Sequence, residues 1–352
     1  MSIALDFLRR LVEDEMTVRR CALLAAVIAT SAAAPAPASA DQPTLTIYTY
    51  SSFVAEWGPG PVLQKEFEAT CGCKIEWVAL EDGAALLSRL KLEGGQTEAD
   101  VVLGIDTNLI VETEKTGLIA PHGIDLSAVK LPIAWSDADF VPYDYGYFAF
   151  VYDSQTLSDP PRSLAELASA GDNPKLIYMD PRTSTPGLGL LLWVKEVLGD
   201  RAADAWKNIA GKTLTVTKGW DEGYGLFLKG EAPMVLSYTT SPAYHQMMDK
   251  TDRYKAVNFA EGNYLQVEVA ARLKTSDQPG LAQKFLAFLV SRAAQEKIPT
   301  TNWMYPAVDL GDALPEAFRK LPLPAKSLLM PADKVAANRA AWIDEWLNSA
   351  GQ

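Results

Sequence analysis

Aromatic and hydroxyl side chains recur at one kind of place in this sequence, the loop that follows a strand-like run. Tyr50 closes Thr44–Tyr50. Glu81, Asp82 and Gly83 follow Lys74–Ala79 and open a helical run. Ser184 and Thr185 lie in Asp180–Gly189, just before another. Trp220 follows Thr213–Thr217. Tyr238, Thr239, Thr240, Ser241 and Tyr244 belong to Ser237–Tyr244, and Trp303 to Asn302–Pro306. Singly, each reads as turn chemistry or core packing. Together they point to one cleft, because α/β sheets bind ligands outside the carboxyl ends of their strands and between lobes. Its side chains would be rings, hydroxyls and chiefly one carboxylate, Asp82.

Nothing in the sequence reads as catalytic machinery. There is no G-x-S-x-G, no H-E-x-x-H and no P-loop, and Gly187-Leu188-Gly189 lacks the rest of a dinucleotide fingerprint. The 2 histidines, His122 and His245, are isolated, which gives a Ser-His or metal mechanism little support. His245 reads as structural. No catalytic residue, metal site or cofactor is expected.

The elements that must position the cleft follow from periodicity. Thr44–Tyr50 and Lys74–Ala79 read as strands, and Asp100–Gly104 as a continuously apolar one. Helices are expected over Val62–Thr70, with Pro61 near the first turn, and over Ala84–Leu92, where Leu86, Leu87 and Leu90 share a face. Phe140–Asp153 is a long aromatic strand. Strands at Leu176–Met179, Thr213–Thr217, Met234–Tyr238 and Tyr264–Ala271 follow, with an apolar helix ending at Leu198. Leu281–Val290 and Pro331–Leu347 read as helices, the second with Trp342 and Trp346 four residues apart. Alternating strands and helices predict an α/β fold with a mainly parallel sheet, in two segments joined by two long strands.

Composition sets the outer limits. With 48% hydrophobic and 22% charged residues, the chain is globular rather than disordered. A net charge of −12 disfavours nucleic acid and anionic lipid as partners and is compatible with a cationic ligand. Arg19-Arg20, the Ala-rich run Cys21–Ala34 and the small-residue end at Ala40 have the parts of a secretory signal, with cleavage expected after Ala40 and Asp41 as the first mature residue. Met1–Glu15 do not fit a signal, and Met16 is a second candidate start. Cys21 precedes the apolar run, so lipidation is not expected. Export favours a Cys71–Cys73 disulfide, a local staple, over a metal or redox site.

Long segments carry a family resemblance. They include Tyr48–Tyr50, Trp57–Pro61, Ala79–Gly83, Ala99–Gly104, Tyr143–Phe150, Asp180–Trp193, Val216–Trp220, Ser237–His245 and Tyr264–Arg272. In these the chain resembles the periplasmic thiamine-binding proteins of bacterial ABC importers, a branch of the type II solute-binding proteins. The resemblance covers essentially the whole mature chain and departs in the N-terminal extension and after Pro306.

It implies a two-lobe type II periplasmic binding protein fold, each lobe a mainly parallel sheet flanked by helices and joined by two crossover strands. Residues 1–40 would be signal and extension, 41–142 plus 262–306 the first lobe, and 143–261 plus 307–352 the second. The implied ligand residues are Tyr50, Asp82, Gly83, Ser184, Thr185, Trp220, Tyr238, Thr239, Thr240, Ser241, Tyr244 and Trp303. The implied ligand is thiamine, with its monophosphate and diphosphate. Its thiazolium cation would sit on Trp220, Tyr50, Tyr244 or Trp303, each ring face contributing ~0.5–2 kcal/mol. Asp82 would take the aminopyrimidine amine or balance the cation. Ser184, Thr185 and helix-start N–H groups, or Thr239, Thr240 and Ser241, would take a phosphate.

The partners implied are a membrane permease and its cytoplasmic ATPase, with the protein a periplasmic monomer. The rival readings are a binding protein of the same fold for iron or a polyamine, and a secreted thiamine-cleaving enzyme. Iron would need paired tyrosines with carboxylate or histidine, whereas Tyr143, Tyr145 and Tyr147 read mostly as inter-lobe packing. A polyamine would need several carboxylates, where the cleft offers mainly Asp82. An enzyme would need a nucleophilic cysteine, and Cys71 and Cys73 lie in a turn away from the cleft.

Overall fold

The computed structural model describes residues 42–351. The expected cleavage after Ala40, the alternative start at Met16 and Cys21 lie outside them.

Three parallel strands open the chain: β1 (Thr44–Tyr50), β2 (Lys74–Leu80) and β3 (Val101–Asp106), with β1 between the other two. Helices α1 (Pro59–Cys71) and α2 (Gly83–Glu93) connect them. Both faces of this sheet are covered. Leu45 and Ile47 of β1 enter one core with Phe53, Leu63, Phe67 and Leu286, while Tyr48 enters the other with Leu86, Leu90 and Val102. That is why these strands read as apolar runs.

The expected helix over 62–70 begins earlier, at Pro59. Pro59 and Pro61 both fit there, because the first four N–H groups of a helix have no intrahelical partner to lose. The helix stops at Gly72, whose φ of 67° makes it a left-handed cap. The expected Cys71–Cys73 disulfide is present and spans that cap.

Two long strands hold the centre. β4 (Val141–Asp153) pairs antiparallel with a later strand, β8 (Asn263–Leu273), through residues 141–147. Its residues 148–152 pair with β7 (Met234–Tyr238). β4 thus passes from one half of the sheet into the other. The second half adds β5 (Leu176–Met179) and β6 (Thr213–Thr217), parallel to each other, with β5 parallel to β7. The strand order is β2-β1-β3-β8-β4-β7-β5-β6.

Around the second half lie α3 (Thr185–Leu198), α4 (Ala202–Lys212) and α5 (Trp220–Leu228). Near the first half, α6 (Pro279–Leu289) packs Phe285 edge-on against Phe67 of α1, centroids 5.2 Å apart. The closing helix α7 (Ala332–Ala350) packs on α3 and α4 and buries Trp346, whose indole N–H donates to the Tyr178 hydroxyl at 3.0 Å.

Helices α4 and α5 are additions to the sequence reading. In α4, Ala202, Ala205, Trp206 and Ile209 fall on one buried stripe. In α5 the glycines read as breakers. At Gly223 the helix packs closely on its neighbours: a Cβ there would press on the Met179 methyl and the Thr217 hydroxyl, which would have to shift.

Candidate functional site

A cavity of about 390 Å³ opens where β1, α2, α5 and β7 end or begin. Among its lining residues are the rings of Tyr50, Trp57, Trp220, Tyr224, Tyr238, Tyr244 and Trp303, and the carboxylates of Asp82, Asp221 and Glu268. Among the described residues, no lysine, arginine or histidine is in the lining. Trp57 is 50% exposed and marks the rim, while Tyr50 and Glu268 are buried at the deep end.

Four of the rings, Trp220, Tyr224, Tyr244 and Trp303, are fixed by contacts with their neighbours. Trp220 opens α5 and stacks on Tyr224, centroids 4.8 Å apart. Its indole N–H donates to Ser237 Oγ at 2.8 Å, and Ser237 Oγ lies 2.8 Å from Ser241 Oγ. Tyr224 in turn is fixed by His245, whose Nε2 is 2.8 Å from the phenol oxygen and whose Nδ1 is 2.7 Å from Asp249. Burial lowers the His245 pKa. The neutral ring therefore donates to Asp249 and accepts from Tyr224, the structural role the sequence reading gave it. Tyr244 and Trp303 meet edge to face at 4.9 Å. Trp303 carries a φ of 58°, a strained value for a bulky residue, and such strain is held where the surroundings fix it.

Asp82 is committed to the scaffold. It caps α2, its Oδ1 accepting from Gly83 N at 2.7 Å. Its Oδ2 accepts from Ser184 Oγ at 2.8 Å, and Ser184 is itself the cap of α3. Two helix starts from opposite halves of the fold thus share one buried carboxylate. Burial raises the Asp82 pKa, and the Gly83 and Ser184 donors oppose that rise. Gly83 has no room for a side chain, since a Cβ would meet Thr185 and the Gly104 carbonyl.

Of the twelve residues named from the sequence, Tyr50, Asp82, Trp220, Tyr238, Ser241, Tyr244 and Trp303 line the cavity. Gly83, Ser184, Thr185, Thr239 and Thr240 are buried behind the lining. Sequence reasoning missed Trp57, Asp221, Tyr224, Glu268 and Asn302. It therefore undercounted carboxylates: Asp82 is one of three in the lining, not the main one. Asp221 accepts from Ser51 Oγ at 2.9 Å, and burial raises its pKa. Tyr143, one of three strand tyrosines read mostly as packing, does pack edge-on against Phe53, centroids 6.1 Å apart, and also donates its hydroxyl to Glu268 Oε2 at 3.1 Å. Tyr145 does pack, stacking on Tyr305 with centroids 5.3 Å apart. Cys71 and Cys73 do not line the cavity.

An α/β sheet in two halves, joined by two long central strands and holding a ring-lined cavity at its strand ends, defines a type II solute-binding protein. The chain belongs to the bacterial extracellular solute-binding protein family, whose pattern its residues 54–296 match. It is similar to the thiamine-binding periplasmic protein of Escherichia coli, 59% identical over 305 residues that cover 87% of this chain and 93% of the relative. The protein of that name from Haemophilus influenzae is 45% identical, covering 80% and 85%. A solved periplasmic thiamin binding protein superposes with a TM-score of 0.86 at 58% identity, over 88% of this chain and 97% of that one. A ferric binding protein from Campylobacter jejuni shares the fold at a TM-score of 0.70 and 18% identity, over 87% and 99%.

Proposed function

We propose that this chain captures thiamine, and its monophosphate and diphosphate, between two lobes and delivers it to the permease of an ABC importer driven by a cytoplasmic ATPase. It does so in the periplasm, as a monomer, after loss of a signal peptide near Ala40, and it catalyses no reaction. The lobes are taken as 41–142 plus 262–306 and 143–261 plus 307–352. The packing of α7 on α3 and α4 supports giving the chain's end to the second lobe.

One observation carries the ligand reading: the cavity combines seven aromatic rings with three carboxylates and no basic side chain. That chemistry suits a flat organic cation, because ring faces attract positive charge and carboxylates accept from amine donors. High identity to the thiamine-binding periplasmic proteins agrees with it.

Mechanistically, ligand contacts made from both lobes favour the closed arrangement, since a ligand shifts an equilibrium by its differential affinity for the two states. The test uses Trp57, Trp220 and Trp303 as reporters. Thiamine should quench their fluorescence saturably at one equivalent, while ferric citrate and spermidine leave it unchanged. A saturable response to iron or spermidine alone would overturn the reading.

A further inference from the structure

We infer that Glu268, backed by Asp144, is the counter-ion for the ligand's cationic ring, and that this carboxylate pair gives up a proton to solvent as the cation enters. The inference rests on the thiamine reading above.

The placement is unusual for an acidic residue. Glu268 lies on β8, between β3 and β4. On one side its ladder partner is Asp106, and on the other it is Asp144. Three carboxylates thus stand in register across three neighbouring strands, where like charges directly opposite repel. All three are buried.

Their partners differ. Asp106 is satisfied by Asn108, whose backbone N–H reaches Oδ1 at 3.1 Å and whose amide reaches Oδ2 at 2.6 Å, and the charge of Arg339 reaches it from α7. Glu268 Oε2 accepts from Tyr50 at 2.9 Å, Tyr143 at 3.1 Å and the Asn302 amide at 3.4 Å. None of these bonds uses Oε1, and Glu268 is in the cavity lining. Asp144 Oδ2 accepts from Asn302 at 2.6 Å, while its Oδ1 is buried with no neutral donor among the described residues, and the group left to pair with Asp144 is the Glu268 carboxyl. Asp82 and Tyr238 complete the groups whose charge reaches the pair, and neither is cationic.

Two buried carboxylates this close hold one proton between them, because burial and mutual repulsion both oppose the second ionisation. Burial, with the Asp82 charge adding to it, pushes Glu268 up to about 7 against the opposing hydrogen bonds of Asp144, Tyr50 and Tyr143, and burial with the Glu268 charge raises Asp144. A bound cation supplies the missing positive charge. One cation enters, one proton leaves, and the charge of the site is unchanged. Asp82, the residue the sequence offered for this role, has both oxygens engaged by Gly83 and Ser184.

The experiment is calorimetric titration of the intact mature protein with thiamine, in buffers of different ionisation enthalpy, between pH 5.5 and 8.5. Wild type should release close to one proton per thiamine at the acid end, fading to none at the alkaline end. Its affinity should weaken by up to about tenfold per pH unit below pH 7. Glu268→Gln should abolish the proton release and weaken thiamine binding by about thirtyfold or more. A neutral analogue, with carbon replacing the thiazolium nitrogen, should bind wild type and variant about equally. Asp144→Asn should also flatten the pH dependence.

Tight thiamine binding by wild type with no proton release anywhere in that range would overturn the inference and leave the ligand reading standing. Absence of thiamine binding by folded wild type at every pH would overturn the ligand reading itself. The proton count needs no variant, so it decides the matter even if Glu268→Gln does not fold.

Discussion

In Ser184→Ala two helix starts lose one shared hydroxyl. Ser184 Oγ donates to Asp82 Oδ2 at 2.8 Å and accepts weakly from Gly187 N at 3.4 Å, with Ser184 fully buried. Removing a serine cap costs about 1 kcal/mol. Leaving a buried carboxylate oxygen without its donor costs a further ~1–3 kcal/mol. The variant should therefore be about 2–4 kcal/mol less stable. With unfolding entropy near 2.1 cal/mol/K per residue, about 310 ordered residues translate that into a fall in Tm of ~3–6 °C.

The deficit should depend on pH with a definite sign. Burial already raises the Asp82 pKa, so this group's contribution to stability falls as pH climbs from its unfolded toward its folded value. Losing the Ser184 donor raises it further. The variant should thus lag wild type most at neutral pH and least in acid, where Asp82 is protonated in both states. Scanning calorimetry from pH 4 to pH 8 reads both effects. A variant that melts within a degree of wild type at every pH would refute the claim that Asp82 and Ser184 tie the two halves together.

Three other outcomes follow from the same geometry. Trp220→Ala removes one ring face and should weaken thiamine binding about 2- to 30-fold while keeping a cooperative melt; loss of that melt would contradict its place in the lining. Replacing Cys71 and Cys73 together with serine opens a ring whose ends are two residues apart, so the loss in stability should not exceed about 1.6 kcal/mol, with thiamine affinity unchanged by calorimetry. Glu268→Gln removes the penalty of ionising a buried carboxyl raised to about 7. Without ligand it should gain on wild type as pH rises from about 4.5 to about 7, by at most ~3 kcal/mol, with the gap constant above; melts across that range check it.

Periodicity and turn chemistry carried much of this architecture. Thr44–Tyr50, Leu176–Met179, Thr213–Thr217 and Met234–Tyr238 are strands with the bounds expected, because β-branched and aromatic runs between glycine- and proline-rich loops have few other folds available. Asp82 was legible as a residue at a helix start beside the cleft, and its cap bond to Gly83 is what the structure adds. Glu268 was not, for a physical reason. In Val267-Glu268-Val269 a polar residue between apolar ones looks like the solvent face of a half-buried strand. Both faces of β8 are buried, and the apparent solvent face is the deep end of the cavity. Trp57 was hidden among the glycines and prolines of its loop. Tyr224 lay in a helix that Gly223 and Gly225 disguised. Ser184 caps α3 with its hydroxyl, while Thr185, Thr239 and Thr240 are buried outside the lining with hydroxyls that meet no partner among the described residues.

The most direct test is isothermal titration of Asp41–Gln352, unfolded and refolded to strip carried-over ligand, with thiamine, its monophosphate and its diphosphate. Ferric citrate and spermidine serve as controls. One-to-one binding of a thiamine form, with both controls silent, is the predicted result, and the three affinities rank the phosphates. Silence for all three forms from a protein with a cooperative melt would contradict thiamine capture.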